Sequence, residues 1–175
     1  EAVDKLQVAT QGGQMVFWDD VASGRHENIF QHLTCFVGGL LALGFYQDGE
    51  PHPSWQRTST EFAKTCHEMY TRTKTGLAPE MVRMNPTAPD FSQQMVALFG
   101  QDNTKGIMRP EAVESWYYLH YFTGDPKYRE WAHDYLVAMN NHARTTYGYS
   151  TVRDVNQVPA IHSGFCESFV MAETL

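Results

Sequence analysis

Residues 110–128 read PEAVESWYYLHYFTGDPKY, and this stretch decides the class of fold. Apolar and aromatic residues recur there with helical spacing up to Phe122, and Thr123-Gly124-Asp125-Pro126 follows directly. Glycine readily takes the left-handed conformation that ends a helix, aspartate caps the next helix, and proline fits its first position. The stretch therefore predicts two consecutive helices, over about residues 110–122 and 126–143, joined by a tight turn.

Further helices are predicted on both sides of this hairpin. Residues 28–46 are apolar on nearly every helical face, which predicts a buried helix, whereas residues 54–75 carry one apolar stripe and end at Gly76. A last helix is expected from about Gly164 onward. Residues 81–105 and 147–162 contain turn-forming pairs and predict long connections, with short strands at 81–84 and 149–152. Because connections of this length are unusual without a function, we expect a site near them.

The composition is that of a packed globular domain. The chain has 175 residues, of which 42% are hydrophobic and 19% charged. Its 13 basic and 20 acidic side chains give a net charge of −7 without any run of lysine or arginine, so no nucleic-acid partner is expected. The most apolar run, residues 33–46, is too short to span a membrane, and residues 1–20 lack the pattern of a signal peptide. We expect residues 1–175 to be a single partial domain, a piece of a longer protein.

Glutamates that follow breaks in the chain are the candidate site residues. They are Glu80, Glu111, Glu114 and Glu167. A carboxylate in the first turn of a helix is stabilised by the helix dipole, and for each residue alone this is the more common explanation. Aromatic residues such as Trp116 and Phe169 lie nearby, however, and aromatic rings beside carboxylates are typical of sites that bind sugars or cations.

The spacing of Glu111 and Glu114 limits what this pair can do. Residues three apart on a helix project to the same side, whereas inverting glycoside hydrolysis needs two carboxyl groups about 6.5–9.5 Å apart across the scissile bond. If Glu111 is a base, its acid partner must lie on another element, and Glu114 is better suited to bind a metal-bound water or a hydroxyl. Converging carboxylates would also favour a hard cation such as calcium or magnesium.

Other kinds of chemistry have weaker support. The eight histidines lack zinc-site spacing, so His32, His67 and His162 are expected to be structural, and motifs of phosphate loops and serine hydrolases are absent from the sequence. Gly38-Gly39 is expected to mark close helix packing. Cys35 and Cys66 lie on consecutive predicted helices that could bring them together, but three reduced thiols are equally compatible with the sequence.

Six short motifs follow one another along the chain. They are HLTCFVGGLLALG (32–44), GLAPE (76–80), RPEAVES (109–115), TGDPKY (123–128), GYS (148–150) and ESFVMAETL (167–175). In this order they resemble successive motifs of the class I α-mannosidases, glycoside hydrolase family 47. The resemblance covers nearly the whole chain, and no single motif would suffice for it.

The resemblance implies an all-α fold, part of an (α/α)7 barrel of paired helices with long loops and short β-hairpins. It also implies calcium-dependent, inverting hydrolysis of α-1,2-linked mannose from high-mannose N-glycans in the lumen of the endoplasmic reticulum or Golgi. The protein would be a monomer, either anchored to a membrane through a segment not present here or secreted. Cys35 and Cys66 match the disulfide of the family.

Site roles follow from the same resemblance. Glu111 would be the general base that acts on a calcium-bound water, and Arg109 and Phe169 would contact the glycan. The remaining carboxylates would hold calcium-bound waters or mannose hydroxyls; they are Glu80, Glu114 and Glu167.

Part of the family's site is expected to lie outside this chain. The acid-side carboxylates would precede Glu1, and the threonine that binds calcium directly would follow Leu175. We therefore expect the fragment alone to be inactive and of doubtful stability. Two alternatives stay open: a glycan-binding quality-control relative with weak hydrolysis, and a helical scaffold without a site.

Overall fold

A computed structural model describes residues 5–48, 52–97 and 103–175. Four long helices dominate it: α1 (Phe36–Gln47), α2 (Pro53–Thr71), α3 (Glu111–Thr123) and α4 (Pro126–His142). Helix α1 packs against both α2 and α3, and α4 packs against α3. None of these described helices is long and apolar enough to cross a membrane.

Short antiparallel strands flank the helices. Three hairpins pair β1 (Gln7–Ala9) with β2 (Val16–Trp18), β3 (Val21–Ala22) with β4 (Arg25–His26), and β8 (Arg144–Thr145) with β9 (Gly148–Tyr149). A fourth sheet contains β5 (Ile29–Gln31), β6 (Met81–Met84) and β7 (Met95–Ala97), with β6 in the middle. The chain is thus about half helical with several short strands. The expected helices and short β-hairpins are both present, and the closed barrel stays a prediction.

The hairpin between α3 and α4 confirms the prediction from the sequence. Gly124 ends α3 with a φ of 70°, the Asp125 carboxylate accepts a hydrogen bond from the backbone N–H of Lys127 at 3.1 Å, and Pro126 begins α4. These local signals fix the C-terminal end of α3. The first turn of α3, which carries Glu111, therefore lies at the end of the helix away from this turn.

The predicted helix over residues 28–46 is wrong in its first part. Residues 29–31 form β5, which pairs with residues 81–83 of β6, and a 3-10 turn at His32–Cys35 precedes α1. Phe30 is fully buried in this strand. Its partners lie about fifty residues further along the chain, so helical spacing could not reveal the pairing.

The predicted C-terminal helix is also wrong in its first part. Residues 163–165 hydrogen-bond to Thr151 and Ser150 of a neighbouring loop, and a single π-helical turn follows at Val170–Thr174. The strand expected at 81–84 is confirmed, whereas the one at 149–152 is reduced to β9 and isolated bridges at Val152. Residues 98–102 of the long connection predicted over 81–105 lie outside the described residues.

Close packing of α1 on α3 fixes the elements that carry the site. The backbone N–H of Gly39 donates to Ser115 Oγ at 2.7 Å, and Ser115 donates to the Cys35 carbonyl at 2.6 Å. A Cβ at Gly39 would lie 3.1 Å from Ser115 Cα, which explains the glycine. Cys35 and Cys66 form a disulfide between this region and α2. Close packing at Gly38-Gly39 and the disulfide pairing are both confirmed.

Candidate active site

Arg109 is the residue around which the predicted carboxylates gather. Its Nη2 and Nε donate to Glu80 Oε2 at 2.8 and 2.9 Å, and Nη1 lies 3.6 Å from Glu111 Oε1. The ring of Phe169 lies below the guanidinium, with 5.8 Å between Cζ and the ring centroid. One side chain thus joins the loop before β6, the first turn of α3 and the C-terminal segment.

Glu111 is the first residue of α3 and is half-buried. Its Oε2 lies 3.4 Å from His32 Nδ1, and neither of these two buried atoms has a hydrogen-bond partner. Burial by itself raises the pKa of the Glu111 carboxyl, but the His32 ring and the Arg109 guanidinium outweigh it and hold the pKa below its usual value. The carboxyl is therefore ionised near neutral pH, as a general base must be.

A buried group of aromatic residues supports this carboxylate from behind. Nε2 of His32 lies 2.7 Å from the Tyr70 hydroxyl, and the Tyr70 ring packs edge-on against Tyr135, whose hydroxyl donates to the Arg109 carbonyl. Burial, together with Tyr135 and two nearby glutamates, raises the pKa of Tyr70 well above its usual value. Tyr70 and Tyr135 were not predicted as site residues, because no motif or spacing in the sequence connects them with Glu111.

Glu114, one turn further along α3, is exposed. Partial burial, followed by the charges of Glu111 and Glu173, raises the pKa of its carboxyl. Glu173 therefore belongs to the same electrostatic cluster, although it was not predicted as a site residue. Its presence in the motif ESFVMAETL, four residues after Phe169, was the signal that could have found it.

Glu167 lies at the surface, beside the Arg109 cluster. It is exposed and interacts with Arg109 only electrostatically. With Glu80 it lines an open groove of about 600 Å³, in which the ring of Phe165 is 74% exposed and Thr151 Oγ1 is buried without a partner. The groove thus combines two carboxylates with an exposed aromatic ring.

Comparison with known proteins decides the family. The family model of glycosyl hydrolase family 47 matches residues 2–175. The chain belongs to this family. The resemblance carried by the six motifs is confirmed, and the relatives of this family 47 chain are glycosidases by name.

Three relatives show how far the likeness extends. Mannosyl-oligosaccharide 1,2-alpha-mannosidase IB of Mus musculus is 35% identical over 178 residues, which cover 100% of this chain and 26% of the relative. The IA enzyme of Sus scrofa is 40% identical over 156 residues, 87% of this chain and 22% of the relative. The endoplasmic reticulum mannosyl-oligosaccharide 1,2-alpha-mannosidase of Homo sapiens is 35% identical over 169 residues, 95% of this chain and 25% of the relative.

A solved structure shows the same fold. The alpha-1,2-mannosidase from Trichoderma reesei superposes with a TM-score of 0.83 at 24% identity, over 99% of this chain and 38% of that one. The family 47 chain therefore folds like the matching part of that protein. It spans about a quarter of the length of the curated relatives that it matches.

The described part of this family 47 chain does not fit direct coordination of a metal ion. Within residues 5–48, 52–97 and 103–175, no three histidine, cysteine, aspartate or glutamate side chains converge as metal ligands would. Both oxygens of Glu80 face Arg109, and Oε2 of Glu111 faces His32. These two carboxylates therefore already have a guanidinium or an imidazole as a neighbour.

Proposed function

We propose that this chain is part of the catalytic domain of an α-1,2-mannosidase that trims high-mannose N-glycans, and that Glu111 is its general base. One observation carries the proposal: in a family 47 chain, an ionised Glu111 lies between Arg109 and His32 at the start of α3. The curated relatives are named for the release of α-1,2-linked mannose from oligosaccharides.

The proposed reaction inverts the configuration of the released mannose. Glu111 takes a proton from a water molecule as that water attacks the anomeric carbon, and a second carboxylic acid protonates the leaving oxygen. Glu114 shares the first turn of α3 with Glu111 and cannot stand on the opposite side of the sugar. The acid therefore comes from another element of the protein.

The proposed glycan site extends from the Arg109 cluster into the groove beside it. Arg109 is held in place by Glu80 and lies against Phe169, so its remaining donors and the ring edge can contact a mannose residue. Glu80 and Glu167 line the groove and can accept hydrogen bonds from sugar hydroxyls.

Calcium dependence is part of the proposal for the complete protein. We assign contacts with calcium-bound waters to Glu80, Glu111, Glu114 and Glu167, and the direct threonine ligand to a position beyond Leu175. Carboxylate oxygens are the donors that calcium prefers. A chelator should lower the melting temperature of the full-length protein, and added calcium should restore it. An unchanged melting temperature after both treatments would contradict the proposed calcium dependence.

The proposed setting is the lumen of the secretory pathway, where the protein acts as a monomer and these 175 residues form part of one domain. The disulfide between Cys35 and Cys66 supports an oxidising compartment. The name of the human relative places that protein in the endoplasmic reticulum.

Substitution of the base in the full-length protein tests the proposal. Glu111→Gln removes the proton acceptor and should lower the release of mannose from a high-mannose N-glycan by about 10²–10⁴-fold. Glu61→Gln is the matched control, because Glu61 pairs with Arg57 on the outer face of α2. Unchanged turnover in Glu111→Gln would overturn the proposal. A wild-type protein that binds the glycan without releasing mannose would identify the quality-control alternative instead.

A further inference from the structure

We propose that His32, fixed by Tyr70, is a positioning residue that holds one oxygen of the Glu111 carboxylate and leaves the other oxygen for proton transfer. This inference rests on the proposed role of Glu111 as the base. It concerns how the carboxylate is oriented, and it assigns the proton transfer to one of the two oxygen atoms.

His32 is rigidly held. Its side chain is 2% exposed, and that of Tyr70 is 5% exposed. The backbone N–H of His32 donates to the Glu80 carbonyl at 2.9 Å, and its ring meets the Tyr70 ring edge-on with centroids 5.6 Å apart. The loop that supplies Glu80 and the helix that supplies Tyr70 therefore both fix the position of the imidazole.

Of the two neutral tautomers of His32, only one satisfies the polar atoms in this chain of contacts. If the Tyr70 hydroxyl donates to Nε2 across their 2.7 Å separation, the neutral ring carries its hydrogen on Nδ1, which faces Glu111 Oε2. The opposite tautomer would set the Nδ1 lone pair against an ionised oxygen, so that two acceptors would face each other. We therefore assign the hydrogen to Nδ1, with Tyr70 as the donor that selects this tautomer.

This assignment gives the two carboxylate oxygens of Glu111 different tasks. The terminal torsion of a glutamate side chain is broad and needs contacts to fix it. Oε2 is buried against His32 at 3.4 Å, and Oε1 lies 3.6 Å from Arg109 Nη1. Both contacts are longer than an ordinary hydrogen bond, and such contacts commonly tighten when the substrate binds. Since Oε2 is buried and faces the imidazole, we assign acceptance of the proton to Oε1.

The position of the hydrogen atom can be tested without any measurement of activity. Neutron diffraction from deuterium-exchanged crystals of the full-length protein should show deuterium on Nδ1 of His32. Absence of deuterium from Nδ1 would overturn the inference. Because this result does not depend on catalysis, it separates failure of the positioning role from failure of the proposed mannosidase function.

Kinetics of full-length variants test the effect on the base. Misplacement of a catalytic group by about 1 Å can cost about 10²-fold, so we expect kcat to fall about 100-fold in His32→Ala and about tenfold in Tyr70→Phe, with KM unchanged within about twofold. His32→Asn keeps an N–H donor near the place of Nδ1 and should recover part of the loss. A merely structural role for His32 would not produce this recovery.

The half-buried His67, which stacks on Trp131 at 4.1 Å between centroids, provides the matched control. His67→Ala and His67→Asn remove a similar ring at a position away from Glu111 and should leave kcat unchanged. Equal losses of kcat in His32→Ala and His32→Asn would overturn the inference. So would a rise in KM at constant kcat, since a positioned base acts on the chemical step.

Discussion

The start of α3 and the loop of residues 161–169 contain the same kinds of residues in opposite surroundings. Glu111 is half-buried between charged and polar neighbours, whereas Glu167 is exposed. Beside the start of α3, Cys35 is bonded to Cys66, whereas Cys166 is free and exposed. Glu111 and Glu167 both lie within family motifs. The difference teaches that a motif identifies a residue, while burial and neighbouring groups decide what that residue can do.

The largest expected difference is between the two glutamates. Glu111→Gln should reduce kcat by about 10²–10⁴-fold, because it removes the base. Glu167→Gln should raise KM by about tenfold at most and leave kcat nearly unchanged, because an exposed carboxylate contributes about one hydrogen bond to a sugar hydroxyl. Initial rates over a range of glycan concentrations in the full-length protein measure both parameters.

A single outcome would remove this contrast. If Glu167→Gln lowered kcat as much as Glu111→Gln, the exposed carboxylate would act in the chemical step. Glu130→Gln on the exposed face of α4 is the surface control, and it should change neither parameter.

Local chemistry explains which features the sequence predicts. The turn at Gly124-Asp125-Pro126 depends on neighbouring residues alone, so the α3–α4 hairpin was predicted almost to the residue. The strand at 29–31 depends on pairing with β6 and was mistaken for helix. Glu80 and Arg109 were proposed from motifs, but their hydrogen bonds join residues 29 positions apart, which no local pattern contains.

The cysteines give the next largest expected effect, on stability. Replacement of Cys35 and Cys66 by serine removes the disulfide between residues that are 31 positions apart. It should lower the free energy of unfolding by about 3–4 kcal/mol. Cys166→Ser should change it by less than about 0.5 kcal/mol, since the thiol is exposed. Denaturant unfolding of the full-length variants measures both. Equal stability of all three proteins would mean that the disulfide does not stabilise the native state.

Alanine substitutions at two glycines should lower the free energy of unfolding by smaller and unequal amounts. In Gly39→Ala the new methyl group would lie 3.1 Å from Ser115 Cα on α3, and we expect a cost of about 1–3 kcal/mol. In Gly164→Ala no heavy atom lies within 4 Å, so only the φ of +85° opposes the change, at a cost of about 1 kcal/mol.

A double-mutant cycle with Ser115→Ala separates these two causes. The effect of Gly39→Ala should be strongly non-additive with Ser115→Ala, because the two residues touch. The effect of Gly164→Ala should be additive with it. Additivity in both pairs would mean that the Ser115 hydroxyl is not what requires Gly39.

The smallest expected effect contrasts two glutamates within the first turn of α3 itself. The pKa of Glu111 is lowered in the folded protein, so its contribution to stability is present above the unfolded pKa of about 4.3 and is lost as the pH falls through the folded pKa. The pKa of Glu114 is raised, so its contribution is fully present below the unfolded pKa and is lost as the pH rises through the folded pKa. Glu111→Gln should therefore weaken the loss of stability in acid, whereas Glu114→Gln should slightly stabilise the protein near neutral pH. Unfolding free energies of the two full-length variants and the wild type between about pH 3 and 7 measure these opposite slopes. Slopes of the same sign would show that His32 and Arg109 do not set Glu111 apart from its exposed neighbour.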